Sequence, residues 1–163
     1  MFYLDLFRSL HEHNVRYLLV GGLAMNLHGV PRMTMDVDLV LALDDANLDA
    51  FIACARALGL KPQAHVQLEA LKDPAQRKAW VEQKHMIAFA LNAPGAAATV
   101  DVLIEHPLHM ESALAASIRR DLDGVPVSLC AIEDLIRTKQ GTGRRQDATD
   151  IEHLRRIRNG GPS

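Results

Sequence analysis

The sequence predicts a single α+β domain in which short strands and helices are interleaved and two helices close the chain. Three observations lead there. A length of 163 residues with 48% hydrophobic and 23% charged residues is that of one globular domain, long enough to bury a sizeable core. Short apolar runs alternate with stretches whose apolar residues recur at helical spacing. No internal repeat or Pro/Gly/Ser-rich linker divides the chain. Aromatic residues make up only 4%, so Leu, Ala, Val, Ile and Met must fill the core.

The elements follow in order. Residues 3–13 read as an amphipathic helix with Leu4, Phe7 and Leu10 on one side. Val15–Val20 is an apolar strand ended by Gly21-Gly22, and a helix starting near Leu23 closes at Gly29, with Pro31 confirming the break. Met35–Leu43 alternates and then becomes continuously apolar, as a strand entering a core does. Asp44 or Asp45 is placed to cap the next helix, whose Leu48, Phe51, Ile52, Ala55 and Leu58 fall at helical spacing before Gly59 ends it. Residues 72–83 read as a polar helix or a lid-like loop. His85–Leu91 and Thr99–Ile104 form a hairpin around the NAPGAA loop. A helix over Glu111–Ile118 and a strand over Val125–Leu129 come next. Helices over Ala131–Lys139 and Asp147–Ile157 flank the glycines of QGTGRR, and the NGGPS tail at 159–163 is expected to be disordered.

Composition narrows the function classes. With 18 Lys and Arg against 20 Asp and Glu, the net charge of −2 argues against a dedicated DNA-binding protein. The average hides an asymmetry. Residues 137–163 hold seven basic and three acidic side chains, whereas Asp36, Asp38, Asp44, Asp45 and Asp49 cluster early. Cys54 and Cys130 sit in apolar segments and read as buried thiols of a reducing compartment. The N-terminus lacks the pattern of a signal peptide, and no apolar run is long enough to cross a bilayer, so a cytoplasmic location without membrane association is expected.

Chemistry concentrates in Val20–Leu39. Fourteen residues after Gly22 comes Asp36-Val37-Asp38. On a strand, residues i and i+2 share a face about 6.6 Å apart, so both carboxylates would project together. Two unpaired like charges there are costly, and a divalent cation relieves them. Hard oxygen ligands select Mg²⁺ or Mn²⁺ over zinc. Asp101 is a third carboxylate in an apolar strand. If its strand neighbours Met35–Leu43, three oxygens converge on a metal site suited to in-line phosphoryl chemistry. Gly21 and Gly22 lack Cβ atoms, so a phosphate could approach the backbone at the start of the following helix. Arg32 and Thr34 could reach the phosphates, although Arg32 could equally be a surface turn residue. Asp147 is at least as well suited to capping the last helix as to a site. His28, before Gly29, reads as a capping or packing residue. The His11–His13 and His106–His109 spacings do not suit zinc.

The strings GGLAMNLHGVPRMTMDVDLVL, TVDVLI and EDLIRTKQGTGRRQDATDI together resemble the DNA polymerase beta-type nucleotidyltransferase superfamily, in its small bacterial AbiEii-like branch. The resemblance spans roughly residues 15–157. It implies the nucleotidyltransferase fold: a mixed sheet flanked by helices, with a core at about 15–130 and a helical part at about 131–158. It also implies that Gly21 and Gly22 contact an NTP triphosphate, that Asp36 and Asp38 ligate Mg²⁺, and that Asp101 is the third carboxylate and the base for an acceptor hydroxyl. Lys139 resembles the lysine that contacts nucleotide, against the alternative of a solvated helix-end lysine. Many members have Gly-Ser where this chain has Gly21-Gly22, so one hydroxyl contact is missing. The implied activity is metal-dependent transfer of NMP from an NTP, such as ATP, to an acceptor hydroxyl, with release of pyrophosphate. The acceptor could be a protein, an RNA or a small molecule. The alternatives are a noncatalytic subunit of a toxin–antitoxin pair, with a protein partner, and an antibiotic nucleotidyltransferase.

Overall fold

The computed structural model describes residues 2–95 and 98–160. Helix α1 (Phe2–Glu12) buries Leu6, Phe7 and Leu10, and β1 (Tyr17–Val20) is buried along its whole length. Helix α2 (Gly21–Leu27) starts on the first glycine, two residues earlier than the sequence suggested. Strand β2 (Val37–Leu41) leads to α3 (Asp45–Ala57), whose first turn is capped by the Asp44 carboxylate accepting from the Asn47 amide at 2.9 Å.

A two-residue strand β3 (Lys61–Pro62) and a short 3-10 helix (Leu68–Lys72) precede α4 (Pro74–Lys84). Residues 72–83 are thus mostly helix: Asp73 caps it, Pro74 opens it, and Trp80 anchors it to the core. His85 adopts a left-handed conformation that ends α4, so β4 (Ala88–Asn92) begins later than expected. Strand β5 (Thr99–Leu103) completes the predicted hairpin, although Ala96 and Ala97 of its loop lie outside the described residues.

Helix α5 (Met110–Ala115) stops short of Ile118, which instead opens a strand the sequence reading missed, β6 (Ile118–Leu122). It pairs with β7 (Val125–Leu129) through Asp123-Gly124, both at positive φ. That is the two-residue hairpin turn for which an Asp-Gly pair is the usual signal. Helices α6 (Ile132–Lys139) and α7 (Arg145–Arg158) follow. Asp147 does not cap α7: Arg144 occupies that position, and Asp147 is buried in the first turn. Asn159 and Gly160, assigned to the tail, donate their amides to the carbonyls of Arg155 and Ile157, while 161–163 lie outside the described residues.

The strands form one mixed seven-stranded sheet, β3-β4-β5-β2-β1-β7-β6. β2 is antiparallel to β1 and parallel to β5, and β1 is parallel to β7. Residues paired across neighbouring strands share a face, which places Val20, Asp38 and Asp101 together on one side. Tyr17 and Phe89 occupy the opposite side, where Phe7 of α1 stacks on Tyr17 and Trp80 of α4 on Phe89, at ring centroid distances of 6.3 and 5.2 Å. One hydrophobic cluster runs from Leu6 to Leu154, so α7 belongs to the same core as the sheet.

Candidate active site

The parallel pairing of β2 and β5 sets Asp38 directly opposite Asp101, and the two carboxyl groups hydrogen-bond to each other. Burial, together with the charges of Asp101 and Asp36, pushes the Asp38 carboxyl up to about 7, and the nearby Lys139 ammonium only partly offsets this. Asp101 is raised as well, by burial first and the Asp36 charge second. Both carboxyls are thus shifted toward the protonated form, and a bound cation would compensate the same charge.

Asp36 departs from the expected arrangement. The strand begins at Val37, so Asp36 is an exposed residue ahead of it rather than a partner of Asp38 on a strand face. Its Oδ1 accepts from the Thr99 hydroxyl at 2.8 Å, and the same hydroxyl lies 3.4 Å from Asp101 Oδ1. With one hydrogen to give, Thr99 favours Asp36 and tethers it beside the pair. Among the described residues no group of three His, Cys, Asp or Glu side chains is arranged to hold a metal ion. The donor chemistry nevertheless fits one: two oxygens in contact with raised pKa values and a third carboxylate one hydroxyl away make a hard, undercompensated set.

The glycines are needed for contacts with protein side chains. Gly21 lies at φ +72°, and a Cβ there would overlap the Asp38 carboxylate and sit 2.9 Å from Asp38 Cβ. A Cβ on Gly22 would press on Thr34 Oγ1 at 3.1 Å and Arg32 Cδ at 3.3 Å. Strand β2 and the loop before it therefore pack onto the first turn of α2, which only glycine permits at position 21.

The C-terminal helices supply cations. Lys139 is no solvated helix-end lysine: it is 9% exposed, with Nζ 2.9 Å from Asp150 Oδ2 and 3.5 Å from Asp147 Oδ1. Arg32 also pairs with Asp150. Thr142 Oγ1 and Arg144 Nε each donate to Asp147 Oδ2 at 2.8 Å. Burial raises the Asp150 carboxyl, but the bonds from Arg32, Lys139 and Gln146 outweigh it and hold the group below its ordinary range. A cleft of about 390 Å³ is lined by Gly21, Asp38, Asp101, His106, Lys139 and Arg144, among others. It unites four of the residues singled out from the sequence. Arg32 and Thr34 instead line a neighbouring cleft of about 340 Å³ with Tyr3, Met33 and Met35. Gly22 and Asp36 line neither.

The family model described as nucleotidyl transferase AbiEii toxin, type IV TA system, matches residues 4–139. The chain belongs to the AbiEii nucleotidyltransferase family. No curated protein sequence matches it. Solved structures share the fold. The lincosamide antibiotic adenylyltransferase LnuA, lincomycin-bound, superposes with a TM-score of 0.59 at 16% identity, over 96% of this chain and 94% of that one. ANT(2")-Ia in complex with adenylyl-2"-tobramycin gives 0.56 at 13% identity, over 98% and 94%. An antigenic nucleotidyltransferase-like protein from Paracoccidioides brasiliensis gives 0.57 at 21% identity, over 94% and 74%.

The AbiEii match ends at Lys139, so Asp147 and Asp150 lie beyond it on α7. Thr99 and His106 were missed in the sequence. Thr99 carried a signal, since it lies two residues before Asp101 on the same strand face. His106 carried none: it lines the cleft only because the chain turns after β5, and its Nδ1 accepts from the Leu108 amide at 3.1 Å. Burial lowers its pKa. His28 does what was expected of a packing residue, its Nε2 lying 2.8 Å from the Cys130 carbonyl. Cys54 and Cys130 are free and buried. Among the described residues no helix is long and apolar enough to cross a membrane.

Proposed function

We propose that this AbiEii-family chain is a divalent-metal-dependent nucleotidyltransferase that moves NMP from an NTP to an acceptor hydroxyl and releases pyrophosphate. The observation that carries this reading is the Asp38–Asp101 pair, held in register on parallel neighbours and undercompensated in charge. Asp36, Asp38 and Asp101 would hold Mg²⁺ or Mn²⁺, which when bound neutralises the phosphate oxygens and the carboxylates together. Asp101 takes the proton of the acceptor hydroxyl. The oxygen attacks the α-phosphorus, the bond from that phosphorus to the bridging oxygen of the β-phosphate breaks, and pyrophosphate leaves. Lys139 and Arg32 each keep N–H donors beyond those given to Asp150, which suits them to phosphate oxygens. Gly21, Gly22 and Thr34 would line the approach to the triphosphate.

The acceptor is a separate protein, RNA or small molecule, and a cytoplasmic setting accords with the two free thiols. The test is incubation with each α-labelled NTP, Mg²⁺ or Mn²⁺ and cell extract, with Asp38→Asn as control. A labelled acceptor formed by the wild type alone supports the reading; no label, together with no NTP binding by calorimetry, overturns it. The second reading, a noncatalytic subunit of a toxin–antitoxin pair, draws on the position of Asp36 off the strand and on the family description. It requires a stable protein partner and no nucleotide affinity. A small-molecule acceptor, as in the antibiotic-modifying neighbours, would show as label on a dialysable product.

A further inference from the structure

We infer that Asp150 is a positioning residue for the nucleotide site, holding Arg32 and Lys139 as a matched pair of phosphate-binding cations and thereby making α7 an integral part of that site. The inference rests on the phosphate roles given to those two cations above, and concerns a residue outside the segment that the family model matches.

Asp150 has no exposed surface yet carries a full charge, and it is the more deeply buried of the two aspartates that α7 sends into the interior. Three donors from three parts of the chain converge on it. Arg32 comes from the loop before β2 and binds Oδ1. Lys139 comes from the last turn of α6 and binds Oδ2 at 2.9 Å, and Gln146 from α7 itself donates to Oδ1 at 3.1 Å. A fully buried carboxylate needs a partner on each oxygen whatever its role. Here each oxygen takes a different cation, and the two cations belong to the two adjoining clefts: Lys139 lines the one that holds Asp38 and Asp101, Arg32 the other. Asp150 is therefore the single group that fixes the spacing between them.

The arrangement leaves donors to spare. Lys139 has three N–H bonds, of which Asp150 and, at 3.5 Å, Asp147 engage at most two. Arg32 has five, and it donates through Nη2 to Asp150. Buried between them, Asp150 removes the conformational freedom of two long side chains before a ligand arrives, so a triphosphate need not order them on binding. A further ion pair bridges α6 and α7 between Arg158 and the exposed Glu133, neither of which lines either cleft. It provides a control that loosens the helix pair without touching the cations.

The test is affinity for a nonhydrolysable NTP with Mg²⁺, measured by calorimetry on the full chain for Asp150→Asn, Lys139→Met, Arg32→Met, both double variants with Asp150→Asn, and Glu133→Gln. Thermal unfolding accompanies each. Asp150→Asn is expected to weaken binding by about tenfold or more, the scale of a lost charge-assisted contact. Adding it to Lys139→Met should weaken binding by much less than its effect in the wild type, because the residue acts through that lysine. Glu133→Gln should bind as the wild type does. If Asp150→Asn does not fold, Asp150→Glu keeps the charge, shifts it by one methylene, and should lose affinity while retaining the fold. Wild-type affinity in a folded Asp150 variant, or strictly additive losses in both double variants, overturns the inference while leaving the phosphate roles intact. Full affinity in both Lys139→Met and Arg32→Met, or no NTP binding by the wild type, overturns those roles and this inference together.

Discussion

Replacing Gly21 with Ala should disarm the site and destabilise the fold at once, for two separable reasons. The first is conformational: at φ +72° a residue with a Cβ pays about 1–2 kcal/mol for the left-handed backbone, against which the stiffer unfolded chain returns roughly 0.5 kcal/mol. The second is steric. The new methyl would overlap the Asp38 carboxylate and lie 2.7 Å from Asp38 Cγ and 2.9 Å from Cβ. The carboxylate can rotate, but Asp38 Cβ is anchored to β2, so strand and helix must part by some tenths of an ångström, at about 1–3 kcal/mol. Together these give a loss of about 2–4 kcal/mol in denaturant unfolding. The carboxylate that rotates away leaves Asp101, so labelled NMP transfer should fall by about 100-fold, as for a catalytic group displaced by an ångström. Gly22→Ala is the internal comparison. Its φ lies outside the left-handed region, its nearest contacts are 3.1–3.3 Å, and a helix gains up to about 1 kcal/mol from the change. It should unfold within about 1 kcal/mol of the wild type. If Gly21→Ala and Gly22→Ala unfold and react alike, the packing of Asp38 on Gly21 does not govern the site.

Two further predictions follow from stated contacts. The Asp38 pKa of about 7 lies above its ordinary 3.8, so the folded state holds a proton that the unfolded chain has released. Stability should therefore fall as pH rises from about 4 to about 7 and level off above that. Asp38→Asn should abolish this fall, unfolding on the order of 2 kcal/mol later than the wild type at pH 8 in metal-free buffer while losing activity; an equal difference at pH 5 and pH 8 would contradict the assignment. Asn47 is 5% exposed, accepts from the Arg16 amide at 2.7 Å, and donates to the carbonyls of Arg16 and Ala42 at 2.9 and 2.8 Å. Asn47→Ala should cost about 2–4 kcal/mol in urea unfolding, more than the roughly 1 kcal/mol of removing the Asp44 cap, because it leaves buried backbone groups unpaired.

Much of the fold and of the site was legible in the chain, for local reasons. The apolar runs around β1 and β2, the Asp44 cap and the Gly59 stop are signals carried by residues within a few positions of one another. What was missed was masked by its neighbours. β6 reads as Ile-Arg-Arg-Asp-Leu, an exposed edge strand without an alternating apolar face, so its only cue was the Asp-Gly turn that follows. The length of α5 was overestimated for the same reason. Asp36 was assigned to the strand because the DVD triplet alternates, but alternation does not specify where pairing begins. In the structure the ladder to β5 starts at Val37.

By itself the sequence determined which chemistry was on offer: carboxylates set among apolar residues, glycines at a strand–helix junction, and a basic C-terminal stretch. Those are composition and spacing, which short-range physics suffices to interpret. Only the tertiary structure decided which groups meet. Asp38 and Asp101 lie 63 residues apart and are joined because β5 adds parallel to β2. Arg32 and Asp150 lie 118 residues apart and are joined because α7 docks into the same core as the sheet. That docking also turned Lys139 from a solvated cation into the partner of a buried aspartate, since a charge leaving water must find an opposite charge. Such pairings depend on how the sheet is ordered and where the last helix lands, and no window along the chain contains either.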